Sequence, residues 1–366
     1  MTLNKISSIQ AIALVVIVIV NHLVLSITNN ITTSTGSASL LNSIYVFVFA
    51  LILVWLIVKL YKNFVGKDIL DISQFLGGKV LKTIVGILYL VYFIFIVSLV
   101  VRRSAKDLKL IYFNNFEIGT IIFLILLVSV IAYHFGHSCI SKCNLVVTPI
   151  MFILIVIVGF SNAENFKFER IFPIFGFGIN ETFFTGLSNI FAYSGIGILY
   201  LIMPMLKDYK DFKKVSYFSV IATGLLIILS IGSILLSFPF IKSLTEISEL
   251  YIEVQNISSF WQVFQRIDAI FILGWVLAIV SYSSVLIMFI VLLFSKLTNS
   301  KLATPIAMVF AAIIFALSLI PPSASVVSIL DTTVYKYGSI SLIIVGSFLI
   351  LIFANIKYKR LNKNKS

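Results

Sequence analysis

The sequence predicts an all-α polytopic membrane protein with ten transmembrane helices, and three observations carry that prediction. Of its 366 residues 60% are hydrophobic and 11% charged, where a soluble domain carries about a quarter charged residues. Apolar runs near the roughly 20 residues that cross a bilayer core recur along the whole chain. Lysine and arginine outnumber aspartate and glutamate 27 to 14, and they gather between the apolar runs as basic residues do in the loops of membrane proteins.

The spans fall in order at about Ile9–Asn29, Ala38–Tyr61, Val80–Leu110, Ile118–His134 and Asn144–Phe160, then Phe184–Leu206, Ser216–Ile241, Ala269–Ser295, Leu302–Ile320 and Tyr335–Ile356. Span one follows the single Lys5 and lacks a small-residue cleavage site, so it reads as a retained helix and not a signal peptide. Span two closes on Lys59, the first of a basic group that runs to Lys82. Span three is drawn long because a tilted helix carries Arg102 and Arg103 beyond the hydrocarbon. A short link, "HFGHSCISKC", joins spans four and five, and a basic link from Lys207 to Lys214 separates spans six and seven. Span nine follows Lys301, and span ten ends at the basic tail that begins with Lys357. The chain reads as one membrane domain, 1–366, because the longest stretches outside the spans are only about 25 residues.

An even span count puts both termini on one side. Placing the N-terminus inside assigns two thirds of the 27 basic residues to that side, so both ends are expected to be cytoplasmic. Arg102, Arg103, Lys106 and Lys109 run against this trend. The net charge of +13 is then mostly a belt facing anionic lipid, and nucleic acid is a poor partner for it.

In span six, "NIFAYSGIGILYLIMPMLK", Gly195 and Gly197 stand at the centre of an apolar run. Glycine disfavours a helix interior by roughly 1 kcal/mol relative to alanine. Inside a bilayer, freed backbone groups are tolerated only beside protein or a watery cavity. Secondary transporters place such breaks at corresponding positions of two repeats and bind solute between them. Tyr193 and Ser194 bring hydroxyls to the same level. Ten spans divide into two sets of five, so span one should be irregular too, and Asn21 and His22 sit in the middle of its apolar run. A solute-sized, wet chamber is expected between the two breaks. Close helix packing is the plainer reading of the glycines. An interhelical hydrogen bond is the plainer reading of Asn21 and His22, and proton coupling is a further role open to His22. Span eight carries Ser281, Tyr282, Ser283 and Ser284, of which Ser281 and Tyr282 are taken to face the bundle.

His134, His137, Cys139 and Cys143 are potential zinc ligands, but their spacing matches no common zinc finger and no metal or other cofactor is expected. No nucleophile elbow, phosphate-binding loop or paired carboxylates in the spans suggest an enzyme.

The "ISSIQ" that opens span one, "RIFPIFGFGI" before span six, "YSGIGILYLIMP" within it and "RIDAIFILGW" leading into span eight resemble the B subunits of spore germinant receptors. This is the GerAB-type family of the amino acid–polyamine–organocation superfamily. The resemblance implies a LeuT-like 5+5 inverted repeat with broken helices one and six, the repeats covering 9–160 and 184–356. It implies a membrane subunit that senses a small germinant, typically an amino acid, and works with an A subunit and a C lipoprotein subunit in spore germination. Pro173, Gly178, Gly195, Pro204, Arg266, Asp268 and Trp275 match the family pattern, with Arg102 at a common arginine position. Arg102, Arg266, Asp268 and Trp275 are read as structural or gating residues. Many relatives have Gly-x-Gly where this chain has Asn21-His22-Leu23, and an acid near Gly197, so this chain departs from the family pattern at both places.

The expected function is a nutrient sensor. A ligand would sit between spans one, three, six and eight, touching Asn21, His22, Tyr193, Ser194, Gly195, Gly197, Ser281 and Tyr282. Its carboxylate would be held by backbone amides freed at the two breaks. The alternative is a cation- or proton-coupled amino acid permease. A purely structural subunit is the third class. The acidic–apolar link "SLTEISELYIEVQNISSFWQVF", with Glu246, Glu249 and Glu253, reads as a lid or an interfacial helix.

Overall fold

The structure, a computed structural model, describes residues 5–22, 27–113, 115–161, 163–238, 267–300 and 303–363. Arg266 and the acidic link holding Glu246, Glu249 and Glu253 lie outside the described residues. Asp268 falls within a described helix, but its side chain lies outside them.

Seven helices long and apolar enough to cross a membrane, and three shorter apolar helices, follow the predicted order among the described residues. Span one is helical over Ser8–His22 and again over Thr28–Thr35, so it runs beyond the predicted end at Asn29. The second segment, "TNNITTST", is polar enough to hide this from a hydropathy reading. Its hydroxyls bond back to the helix itself, Thr32 to Thr28 O at 2.9 Å, Thr33 to Asn29 O at 2.7 Å and Thr35 to Ile31 O at 2.7 Å. Such back-bonding lets Thr and Ser sit in an apolar setting. Gly36 then takes a positive φ of 62° to turn the chain into span two, Ser39–Tyr61.

The helix Ile69–Ile111 contains span three. Asp68 caps it, accepting from Leu70 N and Asp71 N while Asp71 accepts from Asp68 N, a reciprocal arrangement that satisfies orphan donors. Gly78 at φ 73° breaks this helix after its first turns, and the crossing portion starts close to the predicted Val80. Spans four and five are Ile118–His134 and His137–Ser161. Spans seven, eight and nine are Tyr209–Ser237, Ile267–Thr298 and Ala303–Leu319.

Span six, Asn180–Met205, is not a regular α-helix. A π-turn at Asn180–Phe184 leads into tight 3-10 helix over Thr185–Ile198, which is kinked at Tyr193 (φ −98°, ψ 18°). Span ten, within Ser325–Asn362, carries two π stretches, Leu330–Tyr335 and Ile340–Gly346. Departures of this kind collect at functional sites.

Apolar faces carrying Val80, Ile84, Ile87 and Val91 in span three and Phe123 and Ile131 in span four point outward, as a lipid-facing surface requires. Spans one, six and eight run through the interior. At one end of the bundle Ile6 N donates to Met205 O at 2.9 Å, and Lys5 Nζ donates to Pro204 O and Leu206 O at 2.8 and 2.7 Å. Asn355 Nδ2, near the end of span ten, donates there to Leu60 O at 3.0 Å. The start of span one and the end of span ten therefore share that end. Lys296, closing span eight, clamps it by pairing with Asp68 at 2.5 Å and Asp71 at 2.9 Å. At the opposite end Arg103 pairs with Asp331 at 3.1 Å, and Arg102 Nη2 donates to Pro321 O at 3.0 Å.

Candidate ligand-binding site

Where span one ends its first segment, five spans meet around one imidazole. His22 is buried, and its Nε2 shares a 3.0 Å hydrogen bond with Tyr282 Oη of span eight. Its ring lies 4.6 Å from that of Tyr335 in span ten, with planes 12° apart. Tyr335 Oη in turn shares a 2.5 Å hydrogen bond with Ser194 Oγ of span six. Tyr92 of span three brings its hydroxyl beside Ser194 and Ser339 without making a satisfactory hydrogen bond.

A small cavity opens here, lined by Val18, His22, Tyr92, Phe93, Ser194 and Gly195 among others. Its free space is about 10 Å³, room for about one water. The expected solute-sized chamber is therefore water-sized in this conformation. The reason is the tight fit at Gly195, where an added Cβ would lie 2.5 Å from Ile19 Cγ1 and 3.2 Å from Ile19 N. Gly195 thus serves close packing of span six on span one, and the kink falls two residues earlier, at Tyr193. Gly197 turns elsewhere. Its Cβ would meet Ile343 Cδ1 of span ten at 2.9 Å.

The predicted residues separate into two groups. His22, Ser194 and Gly195 line the cavity, and Tyr282 holds His22. Asn21, Tyr193, Gly197 and Ser281 are buried nearby but not on its wall. Both polar atoms of the Asn21 amide and the Tyr193 hydroxyl are buried without a hydrogen-bond partner. In a membrane interior each such group costs about 1–3 kcal/mol, so this is a site under polar tension. Trp275 is buried with its Nε1 unpartnered. Arg102 is not on the cavity wall, and its Nη2 donates instead to Pro321 O.

Two tyrosines were not singled out from sequence. Tyr92 lies in an apolar run and Tyr335 at the predicted start of span ten, neither with a local motif, and only the meeting of spans three, six and ten gives them a role. The one sequence signal, for Tyr92, is a hydroxyl in mid-span. Cys139 and Cys143 lie one helical turn apart with sulfurs 3.9 Å from each other. No group of three metal-ligating side chains forms among the described residues.

Known structures share this architecture. A Na+-coupled sialic acid symporter, solved substrate-bound and outward-open, aligns over 96% of this chain and 79% of its own length. The TM-score is 0.66 at 10% sequence identity, a likeness of fold alone. The fold is therefore LeuT-like, with span six kinked at Tyr193. By sequence, Spore germination protein B2 of Bacillus subtilis (strain 168) is 24% identical over 169 residues, 46% of this chain. The match spans 45% of that relative's length. The sequence profile described as Spore germination protein matches residues 5–327, nearly the whole chain, and the protein belongs to that family of membrane permease-like proteins.

Proposed function

We propose that this protein is the nutrient-sensing, permease-like subunit of a spore germinant receptor. A small germinant, an amino acid in the simplest case, binds where spans one, three, six, eight and ten meet around His22. Binding favours one arrangement of the bundle over another, and the shift is limited to the ligand's differential affinity for the two. Partner A and C subunits read the shift at the spore inner membrane, with both termini of this chain in the cytoplasm.

The observation that carries this reading is the set of unsatisfied polar groups of Asn21, Tyr92 and Tyr193 around the end of the helix Ser8–His22. Asn21, with neither amide atom bonded, is followed directly by His22 on the cavity wall. A fold optimised only for packing would place apolar side chains there. A ligand with donors and acceptors would supply the missing partners once the water-sized cavity widens.

The test is thermal unfolding of the purified protein with each of the twenty free L-amino acids in turn. A saturable rise in Tm with at least one of them, lost on His22→Leu, is expected. A ligand at 100 times its Kd stabilises by about 2.7 kcal/mol. No shift with any amino acid, together with normal germination of spores carrying His22→Leu, would sink the reading. Flux of labelled amino acid through proteoliposomes holding this chain alone would identify a permease instead.

A further inference from the structure

Lys336 follows Tyr335 on span ten, and its ammonium is turned inward. Nζ lies 5.5 Å from the centre of the Phe191 ring, and 3.5 Å from Asn189 Oδ1, the limit of a hydrogen bond. Both of those contacts belong to span six, and both residues are buried. An ammonium has three donors, and among the described residues no carboxylate pairs with this one. Asp331, the nearest acid along the same span, is held by Arg103 at 3.1 Å.

The surroundings are ordered around that charge. Asn189 Nδ2 donates to Asn42 Oδ1 at 2.8 Å and to Ser34 Oγ at 3.1 Å. Asn42 Nδ2 donates to Thr182 O at 2.7 Å. The amide of Asn189 is thereby fixed with its oxygen toward Lys336, and spans one, two, six and ten are drawn together at this level. A half-buried cation beside aromatic rings and without a counter-ion is costly unless an anion completes it. A carboxylate would do so through charge-assisted hydrogen bonds, the stronger kind.

We infer that Lys336, beside Asn189 and Phe191, forms an anion subsite that takes the carboxylate of the ligand. This rests on the reading of the His22 region as a ligand site, and it replaces backbone amides with a side-chain ammonium as the carboxylate's holder. Tyr335 ties the two places together, since it stacks on His22 while its neighbour carries the charge. The subsite selects for a carboxylate whatever the rest of the ligand is. It also fits a chain in which no acid stands near Gly197 to fix an amino group first.

Two probes test it on the purified full-length protein, with Lys336→Met and Lys336→Arg as variants. Sodium acetate, the bare carboxylate, should raise the Tm of the wild type and of Lys336→Arg saturably, and not that of Lys336→Met. The twenty L-amino acids compared with their C-terminal amides should show the acid form bound about tenfold more tightly. In Lys336→Met that preference should vanish, the acid falling to the level of its amide. An acetate effect with no amino acid binding would leave the subsite standing and remove the amino acid reading. An acid-over-amide preference that survives in Lys336→Met, or a wild type indifferent to acetate, would overturn the subsite. Folding of Lys336→Met is checked by an unchanged elution profile and by retention of amide binding.

Discussion

His22 and Tyr335 stack face to face at 4.6 Å across spans one and ten, and through the Tyr335 hydroxyl that contact reaches Ser194 on span six. The end of the helix Ser8–His22 is thus coupled directly to the kinked region of span six. Any ligand that displaces either ring must disturb both.

Removing the Tyr335 hydroxyl with Tyr335→Phe leaves Ser194 Oγ in an apolar setting without its partner. A loss of about 1–3 kcal/mol is expected, read as a lower Tm in detergent. Adding Ser194→Ala should recover part of it, because the two changes share one bond. Fully additive losses would show that the bond contributes nothing.

The two glycines of span six should respond differently. Gly195→Ala drives a Cβ against Ile19, including its backbone nitrogen, and overpacking of this kind costs about 1–3 kcal/mol. Gly197→Ala meets only the Ile343 side chain, and Ile343→Val should relieve it by removing Cδ1. Germination response should fail in Gly195→Ala and survive in Gly197→Ala paired with Ile343→Val.

Asn21→Leu separates stability from function. Both amide atoms of Asn21 are buried and unpartnered, so an apolar side chain of similar size should raise the Tm of the ligand-free protein. The same change should abolish the ligand-induced shift. A lower Tm with an intact shift would place Asn21 outside the site.

The Lys296 clamp that closes span eight predicts another effect. Lys296→Met leaves Asp68 and Asp71 facing each other without their shared cation. A loss of about 2 kcal/mol is expected, between an exposed pair and a fully buried one. Greater reactivity of the free Cys139 and Cys143 thiols toward a soluble maleimide is not expected to follow, since they lie in span five; faster proteolysis of the link before span three is.

Hydropathy and spacing determined the class, the ten spans and most of their limits, because a bilayer demands about 20 apolar residues per crossing whatever they later touch. They also identified His22, Ser194 and Gly195, since polar or flexible residues within such runs stand out locally. Span one's continuation to Thr35 was hidden because a polar helix that bonds to its own carbonyls has no hydropathy signal. Tertiary structure alone decided that Gly195 packs while Tyr193 kinks, that Arg103 and not Arg102 forms the ion pair with Asp331, and that Tyr92 and Tyr335 join His22. These are contacts between residues far apart in the chain. Their geometry is set by how five helices pack together, and no single helix encodes it.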